Sequence, residues 1–189
     1  MPRIIVICGA KRVGKDLLAN YISQKFGYKK IAFADPLKYC VKTLFNFHTE
    51  QVGDGYLKDV VDERWGITPR KALQFFGTEV LQYKMQELIP DVNRKMLAYS
   101  LVSRMRHDLP YVISDMRFLH EFEEVKKLGA FVIRVDRPSV HEDVNHDVPV
   151  HCSEVGYKEI PFDMHIVNDG EISDYVLKFD DEIRKRFGV

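Results

Sequence analysis

The sequence predicts an α/β fold, a parallel sheet with helices packed on it, and three observations carry that expectation. An apolar run, Ile4-Ile5-Val6-Ile7-Cys8, passes through a glycine loop directly into a helix-like run, Leu17-Leu18-Ala19-Asn20-Tyr21-Ile22. Four more short apolar runs recur between helix-length segments, around residues 30–34, 111–115, 130–135 and 162–167. The links between them are short, and a strand, helix and strand joined that way form a right-handed crossover with parallel strands. With 189 residues and 46% hydrophobic content, residues 1–189 suit a single domain with a sizeable core and a small lid.

The loop after the first strand reads Gly9-Ala10-Lys11-Arg12-Val13-Gly14-Lys15-Asp16. Its spacing is that of a P-loop. Backbone N–H groups curl around phosphate oxygens, a helix N-terminus faces the anion, and the lysine reaches the terminal phosphates. A nucleoside triphosphate is the expected ligand, held by Gly9, Lys11, Arg12, Val13, Gly14, Lys15 and Asp16. Ordinary P-loops place Ser or Thr after the lysine to meet Mg²⁺. Here Asp16 stands there, and a carboxylate also suits an ion that prefers oxygen ligands and keeps much of its water.

Composition narrows the partners. Lys+Arg and Asp+Glu both number 28, so no excess basic charge argues for duplex nucleic acid and the expected partner is small. Cys8, Cys40 and Cys152 form neither a C-x-x-C pair nor a disulfide framework, which suits a reducing cytoplasm. The apolar run at the N-terminus is too short for a secretory leader or a membrane span.

In chain order, the first helix should cover residues 14–26 and stop at Gly27, a left-handed cap. A second strand follows over 28–34. Asp35-Pro36 then reads as an N-cap with proline in the first turn of a helix over 37–47, whose apolar face is Leu37, Val41, Leu44 and Phe45. Asp35 sits at a strand's C-terminal end, where open α/β sheets bind ligands, and is either a cap or a ligand-side carboxylate. Residues 49–66 read as a polar, glycine-dotted loop able to move, with Trp65 packed by default.

Thr68 caps the next helix, which runs to about residue 88 with Leu73, Phe76, Val80 and Leu81 as its apolar stripe. Arg70 lies in its first turn, where a cation opposes the helix dipole and is better explained by an anion it must meet. A helix over 91–107 should bury Met96, Leu97, Leu101, Val102 and Met105.

The third strand closes on Ser114-Asp115, the place where a P-loop protein sets a second carboxylate beside magnesium. Asp115 either fills that role or caps the helix over 118–128. Arg117 would share that edge. A fourth strand spans 130–135, and Arg137-Pro138 opens a segment without apolar periodicity, about 137–157. It holds His141, His146 and His151 among acids, but their spacing does not repeat a structural zinc pattern, and a lid carrying Arg134 or Arg137 fits better. The last strand, 162–167, ends in the turn Asn168-Asp169-Gly170, beside which the nucleotide base would rest. A helix over 172–187 closes the chain.

Four blocks taken together resemble the signature of phage-type deoxynucleoside monophosphate kinases. They are Gly9 to Asp16, Phe33-Ala34-Asp35-Pro36-Leu37-Lys38, the run Pro69-Arg70-Lys71-Ala72-Leu73-Gln74-Phe75-Phe76-Gly77-Thr78-Glu79, and Ser114-Asp115-Met116-Arg117-Phe118. They occur in the family's order and span most of the chain. Asp16 matches the family's aspartate after the lysine. Leu17 stands where the family often has Thr, and His120 where its Asp-Val-Arg-Phe-x-Asn-Glu block has Asn.

The resemblance implies a three-layer P-loop NTPase fold with a five-stranded parallel sheet in the order 2-3-1-4-5, and a helical acceptor-binding segment over about 35–107. It also implies transfer of the γ-phosphoryl of ATP to a deoxynucleoside monophosphate. Lys15, Arg70, Arg117 and Arg137 would be catalytic, and Asp16 and Asp115 would lie on the Mg²⁺ side. Asp35, Lys38, Arg70, Gln74, Asp115 and Arg117 would line the monophosphate side, and Asn168, Asp169 and Gly170 would meet adenine. A homodimer is implied as well. Two other readings stay open: a phosphotransferase resembling the animal-type phosphomevalonate kinases, and a P-loop switch protein without turnover.

Overall fold

A computed structural model describes residues 1–53, 55–139 and 156–188. Its centre is β1 (Ile4–Cys8), buried at every position. A continuous apolar strand is what a parallel sheet covered on both faces demands. β2 (Lys29–Lys30), β3 (Tyr111–Ile113), β4 (Phe131–Asp136) and β5 (Met164–Val167) complete the sheet in the order β2-β3-β1-β4-β5, all pairs parallel. This is the expected 2-3-1-4-5 arrangement. Val6 stands in register with Ile113 on one side and Val132 on the other, so the C-terminal ends of the three central strands open on one edge.

The chain divides into two compact units, residues 1–32 with 104–189, and residues 33–103. In the sheet unit, α1 (Lys15–Phe26) ends at Gly27, whose φ of 72° is the left-handed cap expected there. Its Leu18, Ala19 and Ile22 meet Ile5, Ile7, Val112 and Ile133 in one apolar core. That core is closed by Tyr175, Phe179 and Ile183 of the final helix, α8 (Ile172–Phe187). The second strand is shorter than expected. Among the described residues β2 is an edge strand with β3 as its only neighbour, and its pairing continues only as far as the bond from Ile31 N–H to the Val112 carbonyl.

The second unit corrects several expectations. α2 (Asp35–Phe45) begins one residue early for Asp35 to be its cap. Ala34 already accepts the Lys38 N–H at 2.8 Å, which places Asp35 inside the first turn. Leu37 and Val41 are buried, but Leu44 is 61% exposed.

Residues 49–66 are not a loose loop. They hold α3 (Thr49–Val52), a 3₁₀ turn Tyr56–Asp59, and a tight turn in which Asp62 N–H bonds the Ile67 carbonyl. The Asp62 carboxylate is the knot. It accepts from Gln51 at 3.0 Å and from the Arg64 guanidinium at 2.7 and 2.9 Å, and those bonds hold it well below the usual carboxylate range. Trp65 is 49% exposed rather than packed away, with its indole N–H on the Phe45 carbonyl.

The helix expected over 68–88 is one helical run of three kinds: α4 (Pro69–Gln74), a π-helical stretch Phe75–Lys84, and α5 (Met85–Leu88). The wider turn rotates the buried face onto Gly77, Thr78 and Gln82, leaving Phe76, Val80 and Leu81 half-buried. The next helix is also shorter. Residues 90–92 form a 3₁₀ turn, Asn93 and Arg94 adopt φ of 45° and 65°, and α6 (Met96–Arg104) starts only after them. It buries Leu97, Ala98 and Leu101, with Met96, Val102 and Met105 half-buried. Among the described residues no helix is long and apolar enough to cross a membrane.

Candidate active site

The loop joining β1 to α1 has the backbone that phosphate cradles need. Gly9 and Gly14 have φ of 144° and 103°, and Arg12 sits at 65°. A Cβ on Gly9 would collide with the Val135 carbonyl oxygen, and one on Gly14 would lie 2.6 Å from the Asn168 amide nitrogen. Only glycine fits at either place. Lys15, 8% exposed, folds its ammonium back onto the Ala10 carbonyl at 2.6 Å, so the cation lies over the loop. Cys8 beneath it is buried as expected, and burial pushes its thiol up to about 11, out of reach of thiolate chemistry.

Asp16, exposed in the first turn of α1, accepts a 2.6 Å bond from the hydroxyl of Ser114 at the end of β3. A hydroxyl and a carboxylate therefore meet at the helix start, although the hydroxyl comes from 98 positions away. Hard oxygen donors of this kind fit Mg²⁺, which needs only one or two carboxylates when phosphates supply the rest. Among the described residues no cluster of three His, Cys, Asp or Glu side chains forms a self-sufficient metal cage. His141, His146 and His151 lie outside the described residues, as does most of the expected lid.

Asp115 and Arg117 follow on the same strand end, both half-buried. Asp115 does not cap the next helix, α7 (Leu119–Lys127), whose N-cap is Phe118. The loop between is held by Glu121, 3% exposed, whose Oε2 accepts the N–H groups of Arg117 at 2.8 Å and Phe118 at 3.1 Å. Desolvation pushes the Glu121 carboxyl up to about 8, and the nearby Asp115 charge adds to the rise. His120 stacks on the Phe118 ring at 5.1 Å, a packing role for the residue that departs from the family pattern.

On the far side of β1, Arg134 lies over the Tyr157 ring at 5.2 Å and 3.6 Å from Asp136, which also meets His165 at 2.8 Å. Arg137 is exposed, with its Nε on the Ser139 hydroxyl at 3.1 Å. The turn after β5 reaches the P-loop through Asn168. Asn168 is buried and donates its amide to the Val13 carbonyl at 2.9 Å, while Asp169 pairs with Lys178.

In the second unit, Arg70 has its anion in Asp59, gripped by Nε and, at 3.0 Å, by a terminal nitrogen. Asp35 is exposed in the first turn of α2, and Lys38 and Gln74 are half-buried on α2 and α4. Sequence reasoning missed Ser114, Glu121 and Tyr175 as site residues. Glu121 carries a local signal, an acid three residues after a helix N-cap. Ser114 falls in the strand-end block that carries the family resemblance, and Tyr175 acts across the fold and leaves no local signal.

The chain matches the family described as Deoxynucleotide monophosphate kinase over residues 3–62 and 54–179. A protein of Acanthamoeba polyphaga mimivirus assigned as a deoxynucleotide monophosphate kinase is 34% identical over 182 residues, 91% of each chain. The deoxynucleotide monophosphate kinase of Escherichia phage RB69 is 26% identical over 66% of this chain and 47% of its own length. Among solved structures, dephospho-CoA kinase from Campylobacter jejuni aligns over 98% of both chains at 15% identity with a TM-score of 0.47. The glycine loop, its lysine and the strand-end acids thus stand in a chain that belongs to the deoxynucleotide monophosphate kinase family.

Proposed function

We propose that the chain transfers the γ-phosphoryl group of ATP to the phosphate of a deoxynucleoside 5′-monophosphate, giving the diphosphate and ADP. Family membership makes it a phosphotransferase and points to the acceptor, and the observation that supports a triphosphate donor is the loop Gly9 to Lys15, with positive φ at Gly9, Arg12 and Gly14 and the ammonium folded over it. The acceptor phosphate is already anionic, so no strong base or covalent intermediate is needed. The barrier lies in bringing two polyanions together, which makes catalysis a matter of positioning and charge neutralisation.

In this reading, amides of residues 11–16 and Lys15 hold the triphosphate. Asp16, seated by Ser114, is the carboxylate that would hold Mg²⁺, with Asp115 as a second candidate. A bound Mg²⁺ would supply charge neutralisation on the phosphates. Arg117 and Arg70 would draw in the monophosphate, and Asp35, Lys38, Gln74 and Asp115 would line its side. Arg137 would act from the lid side. The test is ADP release and product chromatography with a panel of deoxy- and ribonucleoside monophosphates, ATP and Mg²⁺. Turnover should require a monophosphate and disappear in a folded Lys15→Ala variant. ATP consumption without acceptor, or near-normal activity in that variant, would reject the assignment.

We also take the chain to work as a homodimer in the cytoplasm. Phe75, Tyr83 and Leu88 on the 69–88 run are 55%, 45% and 76% exposed, apolar surface that a second copy would cover. Sedimentation should give twice the 22.1 kDa chain mass. A monomer at micromolar concentration would remove this part of the reading.

A further inference from the structure

The P-loop carbonyls are tied down from outside by two buried side chains. Asn168 donates to the Val13 carbonyl at 2.9 Å, and the Tyr175 hydroxyl donates to the Gly14 carbonyl at 3.3 Å. Gly14 O also takes the first α1 helix bond, from Leu18 N–H at 3.1 Å. In a trans peptide the C=O and the following N–H point in opposite directions. Fixing the Val13 carbonyl outward therefore turns the Gly14 N–H inward, and fixing the Gly14 carbonyl does the same for the Lys15 N–H.

The space for both donors comes from Gly14 itself. A side chain there would lie 2.6 Å from the Asn168 nitrogen and 3.3 Å from the Tyr175 ring. Neither donor is free to wander. Asn168 and Tyr175 are 6% and 1% exposed, and Asn168 N–H is anchored on the Asp136 carbonyl at 2.8 Å, at the end of β4. Because the Val13 carbonyl only accepts, the Asn168 group facing it must be the NH₂ end. The Tyr175 phenol is held neutral by burial, which pushes its ionisation upward, so it remains a donor at all ordinary pH.

We infer that Asn168 and Tyr175 are positioning residues for the triphosphate, orienting the amides of Gly14 and Lys15, and that Asn168 acts on phosphate affinity and not on base choice. This rests on the phosphate-binding reading of the loop, and it gives the Asn168 side chain a task other than the adenine contact expected of the Asn168 to Gly170 turn. Losing the Asn168 bond takes the side-chain partner from the Val13 carbonyl and should weaken binding on the order of ten- to a hundredfold, whereas the Gly14 carbonyl keeps its Leu18 bond, so losing the Tyr175 hydroxyl should cost less.

The experiment is calorimetric titration of ATP, GTP and inorganic tripolyphosphate into wild type, Asn168→Ala and Tyr175→Phe, with thermal unfolding recorded for each. Tyr175→Phe removes a single oxygen and so keeps the test open if Asn168→Ala folds poorly. Each variant should lose affinity for all three ligands by a common factor, smaller for Tyr175→Phe than for Asn168→Ala, with the ATP to GTP ratio kept. A changed ATP to GTP ratio with tripolyphosphate binding intact would overturn the inference in favour of a base contact, and wild-type affinity for all three ligands would overturn it outright. Wild-type protein that binds none of the three would instead fail the phosphate reading beneath it.

Discussion

Glu121 shows how much one side chain can do for a strand end. Its carboxyl accepts two consecutive backbone N–H groups, and burial holds its ionisation near 8 against an ordinary 4.5. The folded state therefore binds this proton more tightly than the unfolded chain. Its contribution to stability is whole below about pH 4.5 and is lost as pH rises toward 8. A Glu121→Gln variant keeps an oxygen for the two N–H groups and cannot ionise. Its melting temperature should gain on wild type steadily from pH 5 to pH 9; parallel curves over that range would show that the buried acid is not titrating. Residues of this kind divide by how they are read. Gly9, Gly14 and Lys15 stand in one short motif whose spacing states their task. Ser114 and Tyr175 reach Asp16 and Gly14 across 98 and 161 positions, and no local pattern records that.

Elements were legible where their cause is local. Gly27 stops α1 in the left-handed conformation, and Thr68 caps α4 by accepting the Lys71 N–H at 3.1 Å with Pro69 behind it. Removing that cap in Thr68→Ala should cost about 1 kcal/mol, read from urea denaturation, since one first-turn N–H loses its partner. A loss within error would mean that another group caps the turn. The same helical run also marks the limit. Its apolar residues recur at α-helical spacing, yet the π-helical stretch shifts the buried face to Gly77, Thr78 and Gln82. Gln82 there accepts from Arg94 at 3.0 Å, a long-range bond that periodicity cannot register. The Asp62 turn was likewise hidden, because its order comes from side-chain bonds within a polar stretch that composition alone reads as loose.

At the scale of the molecule, the parallel pairing followed from the chain's alternation of strand and helix and the sheet order from the family resemblance, while the division into units did not announce itself in composition. Lys15, Asp16, Asp115 and Arg117 belong to the sheet unit, and Asp35, Lys38, Arg70 and Gln74 to the other. In the proposed function the donor-side groups Lys15 and Asp16 fall in the sheet unit, but so does Arg117 of the acceptor side, so the division by unit and the division by substrate do not coincide. Arg70→Ala should raise the monophosphate KM by about tenfold or more, or lower kcat, while ATP affinity measured by titration stays nearly unchanged, as loss of a charge-assisted phosphate contact predicts. A fall in ATP affinity alone would place Arg70 with the wrong substrate.

The sheet unit is discontinuous in sequence: the chain leaves it after Ala32 and returns at Arg104. Those two residues are joined, Arg104 donating from its guanidinium to the Ala32 carbonyl at 2.8 Å. A segment whose exit and re-entry are neighbours behaves as a cassette, since exchanging it leaves the host's own strands in register. Under the proposed function, a graft of 33–103 from a relative should therefore fold on this host and shift the monophosphate KM through Arg70 and its neighbours, while Lys15 and Asp16 stay as they are.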